Sequence, residues 1–174
     1  MAIDNGAVEM LPRQTMLLIV WHSRTGASQA MAEAAWQGAR DEGEARLLAA
    51  EDSGPAEMLA ARGYIFTCPE NLATMSGAMK EFFDRCYYPL LGRIEGRAYA
   101  TLIAAGSDGS GAQRQINRIA TGWRLRRVCE PLIVDTAAQT PAAILAPKTI
   151  TAADLERCHA LGQALGAGLA MGAF

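Results

Sequence analysis

Short, nearly unbroken apolar runs alternate along the chain with longer segments whose apolar positions recur at helical spacing. That alternation is the pattern of an α/β protein built on a parallel sheet. The apolar runs at residues 16–21, 45–49, 63–68, 99–105 and 128–134 predict five strands, and their lack of apolar/polar alternation predicts cover on both faces. Between them, residues 28–42 place Met31, Ala35 and Gly38 on one side and Glu33, Gln37 and Arg40 elsewhere, as in an amphipathic helix. Residues 74–86 repeat the pattern, with Met75, Met79, Phe82 and Phe83 set against Lys80, Glu81 and Asp84. Residues 112–119 and 151–171 predict two more long helices, the last opened by the capping sequence "TAAD", and 56–61 a brief one.

Five strands joined by right-handed helical crossovers make a small doubly wound sheet. The common order 2-1-3-4-5 puts its switch point beside the carboxyl end of the first strand. With 174 residues, 51% of them hydrophobic, the chain is long enough for one good core. Residues 1–14 are expected to be a flexible leader, and 15–174 one domain. Residues 135–149, rich in Ala, Thr and Pro, are long for a strand-to-helix connection and suit a lid, an oligomer arm or a surface loop.

Sixteen basic against eighteen acidic residues give a formal charge of −2, which provides no general field for nucleic acid or an anionic membrane. No apolar run approaches the ~18 residues of a membrane span. A cytoplasmic location is expected. Cys68, Cys86, Cys129 and Cys158 are widely spaced, without a C-x-x-C pair, and predict reduced, mostly buried thiols rather than a zinc site or disulfide framework.

The chemistry concentrates in three loops. After the first strand, "WHSRTGASQAM" offers hydroxyls on Ser23, Thr25 and Ser28, a conformationally free Gly26, and the unpaired N–H groups of a helix start. Together these make a nest for an anion. The loop lacks the G-x-x-x-x-G-K-[ST] and G-x-G-x-x-G spacings, and a hydroxyl-rich loop without lysine suits a lone terminal monophosphate. The competing reading is an ordinary Ser/Thr cap beside a turn glycine. Arg24 is an extra cation without an assigned task, and His22 reads as a strand-end residue.

The second loop opens "CPENLATMSGAMKEFFDR"; Pro69 and Asn71 favour irregular structure, and Thr74 or Ser76 can cap the helix after it. Cys68 reads as a packed thiol. The third loop, "AAGSDGSGAQ", is small, polar and glycine-rich. All three leave the carboxyl ends of neighbouring strands and converge on one crevice.

On these motifs the chain resembles the flavodoxin-like superfamily, specifically the NAD(P)H-dependent oxidoreductases that include FMN reductases and quinone reductases of the tryptophan-repressor-binding-protein type. "SRTGAS" is similar to the family's T/S-x-T-G-x-T phosphate loop, "PENLATMSGAMKEFFDR" to its flavin-ring loop and following helix, and "AAGSDGSGA" to the glycine-rich loop bordering the flavin. The resemblance implies a three-layer flavodoxin-like fold, a five-stranded parallel sheet of order 2-1-3-4-5. It implies that Ser23, Arg24, Thr25, Gly26, Ala27 and Ser28 wrap the phosphate of FMN. Pro69, Glu70, Asn71, Leu72, Ala73 and Thr74 would then run beside the isoalloxazine, and Gly106, Ser107, Asp108 and Gly109 would close its other edge. It further implies NADH or NADPH as electron donor, hydride transfer through flavin N5 to a quinone, free flavin or other small acceptor, and a homodimer or homotetramer.

Dedicated flavodoxin carriers clamp the ring between aromatic residues, and neither ring loop here contains one. That leaves a ring face open to a nicotinamide or quinone. A non-enzymatic carrier is the nearer rival. A nucleic-acid module is the other, on the cluster Arg114, Arg118, Arg124, Arg126 and Arg127; the first two read as a solvated helix face, and no recognition motif accompanies them. Arg124 and Arg126 could instead meet the 2′-phosphate of NADPH. Tyr87 and Tyr88 suit packing at a helix end. Gly162, Gly166 and Gly168 give the last helix a small-residue face, expected to pack on the sheet.

Overall fold

The computed structural model describes residues 16–174, so the expected leader lies outside the described residues. In chain order the elements are β1 (Leu17–Trp21), α1 (Ala27–Arg40), β2 (Ala45–Ala49), α2 (Pro55–Ala60), β3 (Gly63–Asn71), β4 (Thr74–Met75) and α3 (Gly77–Leu90). They continue as β5 (Ala98–Ala105), α4 (Ser110–Gly122), β6 (Arg126–Arg127), β7 (Leu132–Asp135), α5 (Pro141–Leu145) and α6 (Ala152–Ala170). Among the described residues no helix is long and apolar enough to cross a membrane.

The parallel sheet runs β2-β1-β3-β5, with β6 and β7 both on the far edge of β5. This is the order 2-1-3-4-5 with its last strand in two pieces. Tyr99 pairs with Arg127 and Leu102 with Leu132, so residues 128–131 bulge opposite residues 100–101. Pro131 falls in the bulge, where its missing N–H breaks no ladder bond.

Alternate residues of each strand feed two cores, one on each face. Leu18, Val20 and Phe66 join Met58, Phe82, Phe83, Ile116 and Trp123 beneath α2, α3 and α4. The rings of Phe66 and Phe83 lie 5.0 Å apart, and those of Phe83 and Trp123 5.5 Å apart. Leu17, Ile19 and Ile65 join Met31, Cys158 and Leu165 beneath α1 and α6. Each large apolar side chain so buried contributes about 1.5–3 kcal/mol, which explains why strands without polar alternation are stable only in this middle layer.

Two connections have more structure than the sequence pattern predicts. The segment after Cys68 is not irregular: β3 continues through Pro69, Glu70 and Asn71 and turns back antiparallel into β4, so α3 starts at Gly77 rather than 74. The two turn residues, Leu72 and Ala73, have φ of 53° and 59°, the left-handed geometry that matches a tight two-residue hairpin to strand twist. The stretch 135–149 contains the short α5, capped by Thr140 Oγ1 accepting from the Ala143 N–H at 3.2 Å and led by Pro141 at its first position. The "TAAD" cap is present as expected, Thr151 Oγ1 accepting from the Asp154 N–H at 3.1 Å.

The small residues of α6 do not pack on the sheet: Gly162 and Gly166 meet α1, and Gly168 meets the ring of Phe174. A Cβ on Gly162 would overlap the Ala35 carbonyl, and one on Gly166 would lie 2.9 Å from the Ala39 carbonyl. Backbone-to-backbone approach of two helices is open only to residues without a side chain. Gly162→Ala therefore destabilises the protein by about 1–3 kcal/mol in urea unfolding, although alanine is the better helix former by about 1 kcal/mol. Gly122→Ala, with no atom within 4 Å of the new Cβ, leaves stability unchanged or slightly raised.

Candidate functional site

Beyond β1 the chain stays paired with β3, the His22 N–H donating to Thr67 O at 3.0 Å. The His22 ring sits with Nδ1 2.9 Å from Ser76 Oγ, which ties the first loop to the start of α3. Burial pushes its pKa down, with Glu51 opposing and Arg24 adding to the shift, so the imidazole is neutral near pH 7. Gly26 takes φ +93° and donates its N–H to Ser23 Oγ at 3.0 Å. This turn delivers the chain into α1 with the first-turn N–H groups uncommitted within the helix.

The three hydroxyls of the loop thus differ. Ser23 shapes the turn as an acceptor, Thr25 lines an adjoining cleft, and Ser28 is buried in the first turn of α1 with an Oγ that has no hydrogen-bond partner.

The second and third loops are locked together by Glu70. Its Oε1 accepts from the Gly109 N–H at 3.0 Å and its Oε2 from the Ala112 N–H at 2.9 Å, capping α4 from 39 and 42 residues away. Gln115 Oε1 reaches back to the Met75 N–H at 2.9 Å. Gly111 lets α4 press against the hairpin, since a Cβ there would overlap the Ala73 carbonyl. Glu70 is therefore a positioning residue whose carboxylate is committed to backbone donors.

One cleft of about 570 Å³, within the size range of small-ligand sites, lies at the carboxyl ends of β1, β3 and β5. From the first loop it takes Arg24, Thr25 and Ala27; from the second Pro69, Glu70, Asn71 and Leu72; from the third Gly106, after Ala104 and Ala105 at the end of β5. Ser23, Gly26 and Ser28 shape the first loop without lining the cleft, and Ala73 and Thr74 do not line it either, the Ala73 carbonyl lying against Gly111 of α4. The third loop departs from expectation. Ser107 and Asp108 are exposed outside the cleft, Asp108 accepting from the Ser110 hydroxyl, and Gly109 is packed against Ile133.

The remaining wall comes from residues the sequence reading did not assign: Thr136, Ala138, Ile144, Leu145 and Lys148. They belong to a strap fastened at both ends. Thr136 donates its N–H and its hydroxyl to Ala105 O, at 2.8 and 3.0 Å, and the Lys148 N–H donates to Thr25 O at 2.7 Å. Gly106 admits the strap, because a Cβ there would stand 2.7 Å from Ala138 O. The sequence signals for the strap are the unusual length of 135–149 and the Thr-Pro step at 140–141, a helix start within it.

Three large aliphatic side chains are exposed around this cleft, Leu72 at 98%, Leu145 at 78% and Ile144 at 53%. Clustered apolar exposure of this kind marks a surface that something apolar covers. The polar end holds the first loop with two cations, Arg24 and Lys148. None of the four cysteines lines the cleft: Cys68 is buried and its thiol is pushed up to about 12, with Cys86 and Cys158 pushed up to about 11. Tyr87 and Tyr88, and the arginines at 114, 118, 124, 126 and 127, do not line the cleft. Arg124 faces Glu95 and Arg127 faces Glu130.

Residues 54–134 match the model of the NADPH-dependent FMN reductase family. Over 97 residues the chain is 33% identical to a flavodoxin of Aquifex aeolicus (strain VF5), a match covering 55% of this chain and about half, 52%, of that relative's length. Two solved structures are similar to it over their whole length. A flavodoxin from the domain Archaea has a TM-score of 0.72 at 18% identity, covering 89% of this chain and 99% of that one. The flavodoxin, WrbA-like protein from Agrobacterium tumefaciens has a TM-score of 0.72 at 19% identity, covering 90% and 98%. The fold is flavodoxin-like. The family match takes in the second and third loops but neither the first loop nor the strap.

The Glu70 cap sets a measurable dependence. Glu70→Ala lowers stability by about 1–3 kcal/mol and speeds hydrogen exchange at the Gly109 and Ala112 amides by more than the general acceleration that lower global stability produces in β1. Glu70→Gln, with one acceptor oxygen for two donors, falls between the two.

Proposed function

We propose that the chain is an FMN-binding oxidoreductase that takes hydride from NADH or NADPH and passes the electrons to a small acceptor such as a quinone or a free flavin. The observation that carries this reading is one cleft lined both by the first loop, with its hydroxyl and cation, and by the exposed aliphatic side chains Leu72, Ile144 and Leu145. FMN has two matching parts, a terminal phosphate and a flat, largely apolar ring system.

The residues present fit the group. Ser28 Oγ is buried beside the loop without a partner, and the first N–H groups of α1 lack helical acceptors. These, with the Thr25 hydroxyl, are the donors a phosphate uses. Arg24 supplies positive charge at the same end. Pro69, Asn71 and Leu72 would flank the ring from the hairpin, and Gly106 would let backbone approach it. Bound FMN would supply the redox chemistry itself, uptake of hydride at its N5 and release of electrons, leaving the protein to bind, orient and tune. A cleft that no cysteine or histidine among the described residues lines, and whose Glu70 carboxylate is tied to backbone amides, suits that division of labour.

The lining lacks an aromatic side chain, which supports a ring face left open for a second planar molecule. The match to the NADPH-dependent FMN reductase family supports a nicotinamide as that molecule. The identity to a flavodoxin favours the second reading, a carrier that receives electrons from another enzyme.

Anaerobic stopped-flow mixing of the FMN-loaded protein with NADPH or NADH separates the two. A reductase bleaches the flavin absorption directly with one of them. No bleaching with either, together with reduction by an added flavodoxin reductase, makes the chain a carrier. A chain that shows no flavin spectrum after FMN is added does neither.

A further inference from the structure

We propose that Lys148, held over the first loop by the strap, is the residue that selects a phosphorylated flavin over an unphosphorylated one. The inference rests on the FMN reading and adds to the phosphate end a cation from outside the phosphate-loop motif.

Three observations carry it. The first is placement. The backbone of Lys148 is bonded directly to the loop through its N–H to Thr25 O at 2.7 Å, and its side chain lines the same cleft as Arg24. The second is orientation. Lys148 Nζ donates to Ile144 O at 3.0 Å and to Ala146 O at 2.6 Å, at the carboxyl end of α5. An ammonium has three donors, so two fix its position and one is left for a ligand. Much of the rotamer entropy that a free lysine would lose on binding is already lost in the fold.

The third is charge. Among the described residues, Arg24, Glu70 and Lys148 are the charged ones lining the cleft, and the Glu70 carboxylate is committed to the Gly109 and Ala112 amides. The uncommitted charge is therefore positive. A phosphate monoester carries about −1.5 to −2 at pH 7, and its bonds to a cation are roughly twice as strong as those to neutral hydroxyl or amide donors. The same strap presents Ile144 and Leu145 to the cleft. One segment thus brings an apolar wall and a cation to a ligand with an apolar body and an anionic end.

The test is titration of FMN and of riboflavin into the full chain, followed by quenching of flavin fluorescence, for wild type, Lys148→Gln and Lys148→Arg. The glutamine variant keeps the backbone bond to Thr25. It is expected to lose about tenfold or more in FMN affinity, with riboflavin affinity unchanged, and Lys148→Arg is expected to restore FMN binding. Equal loss for both flavins makes the strap a packing wall and overturns the proposal, as does unchanged FMN affinity. A wild-type chain that binds neither flavin overturns the FMN reading first, and this proposal with it.

Discussion

Parallel backbone pairing of β1, β3 and β5 is the constraint on which the site depends. Each strand is covered on both faces, so polar and flexible chain is confined to the strand ends. Parallel register then sends the three exits out at one edge, and the His22 N–H to Thr67 bond carries the pairing past the last residue of β1. A site assembled from residues 24, 70, 106 and 148 is thereby a consequence of strand order rather than of any local sequence.

Two further devices turn a sheet edge into a defined cleft. Glu70 welds the hairpin to the amino end of α4, which fixes the second loop relative to the third and removes a carboxylate that would otherwise repel an anion. The strap, bonded to Ala105 at one end and Thr25 at the other, closes the side opposite the hairpin. Leu72, on a turn of two left-handed non-glycine residues, and Leu145, on the strap, stay exposed at that cleft while the rest of the aliphatic content is largely buried. Strain and apolar exposure concentrated at one place are the mark of a surface shaped for a ligand.

The strands, their order and the convergence of three loops were legible because apolar runs buried on both faces leave a simple signal. What escaped the sequence was long-range or compensated. Leu72-Ala73 lacks the Asn-Gly composition of a tight hairpin, so β4 was read as the start of a helix. The break in the last strand is masked because Val128, Cys129 and Leu132 to Val134 form an apolar series interrupted by Glu130 and Pro131 alone. Glu70 looked like a ring neighbour, since a cap 42 residues from its helix leaves no local trace. Gly162 was assigned to the sheet because a small-residue face announces close approach without naming the partner. Lys148 stands in a stretch that length and composition mark as unusual, but nothing local tells which of its residues turns to the cleft.

The central claim is that FMN occupies the cleft between the first loop, the hairpin and the strap. Titration of FMN into the 15N-labelled chain, observed through its backbone amides, tests it most directly. The account predicts saturable shifts confined to Thr25 to Ser28, Asn71 and Leu72, Gly106 and Lys148. An absence of saturable shifts, or shifts gathered instead at the groove between α3 and α4 beside Tyr87 and Trp123, would contradict it.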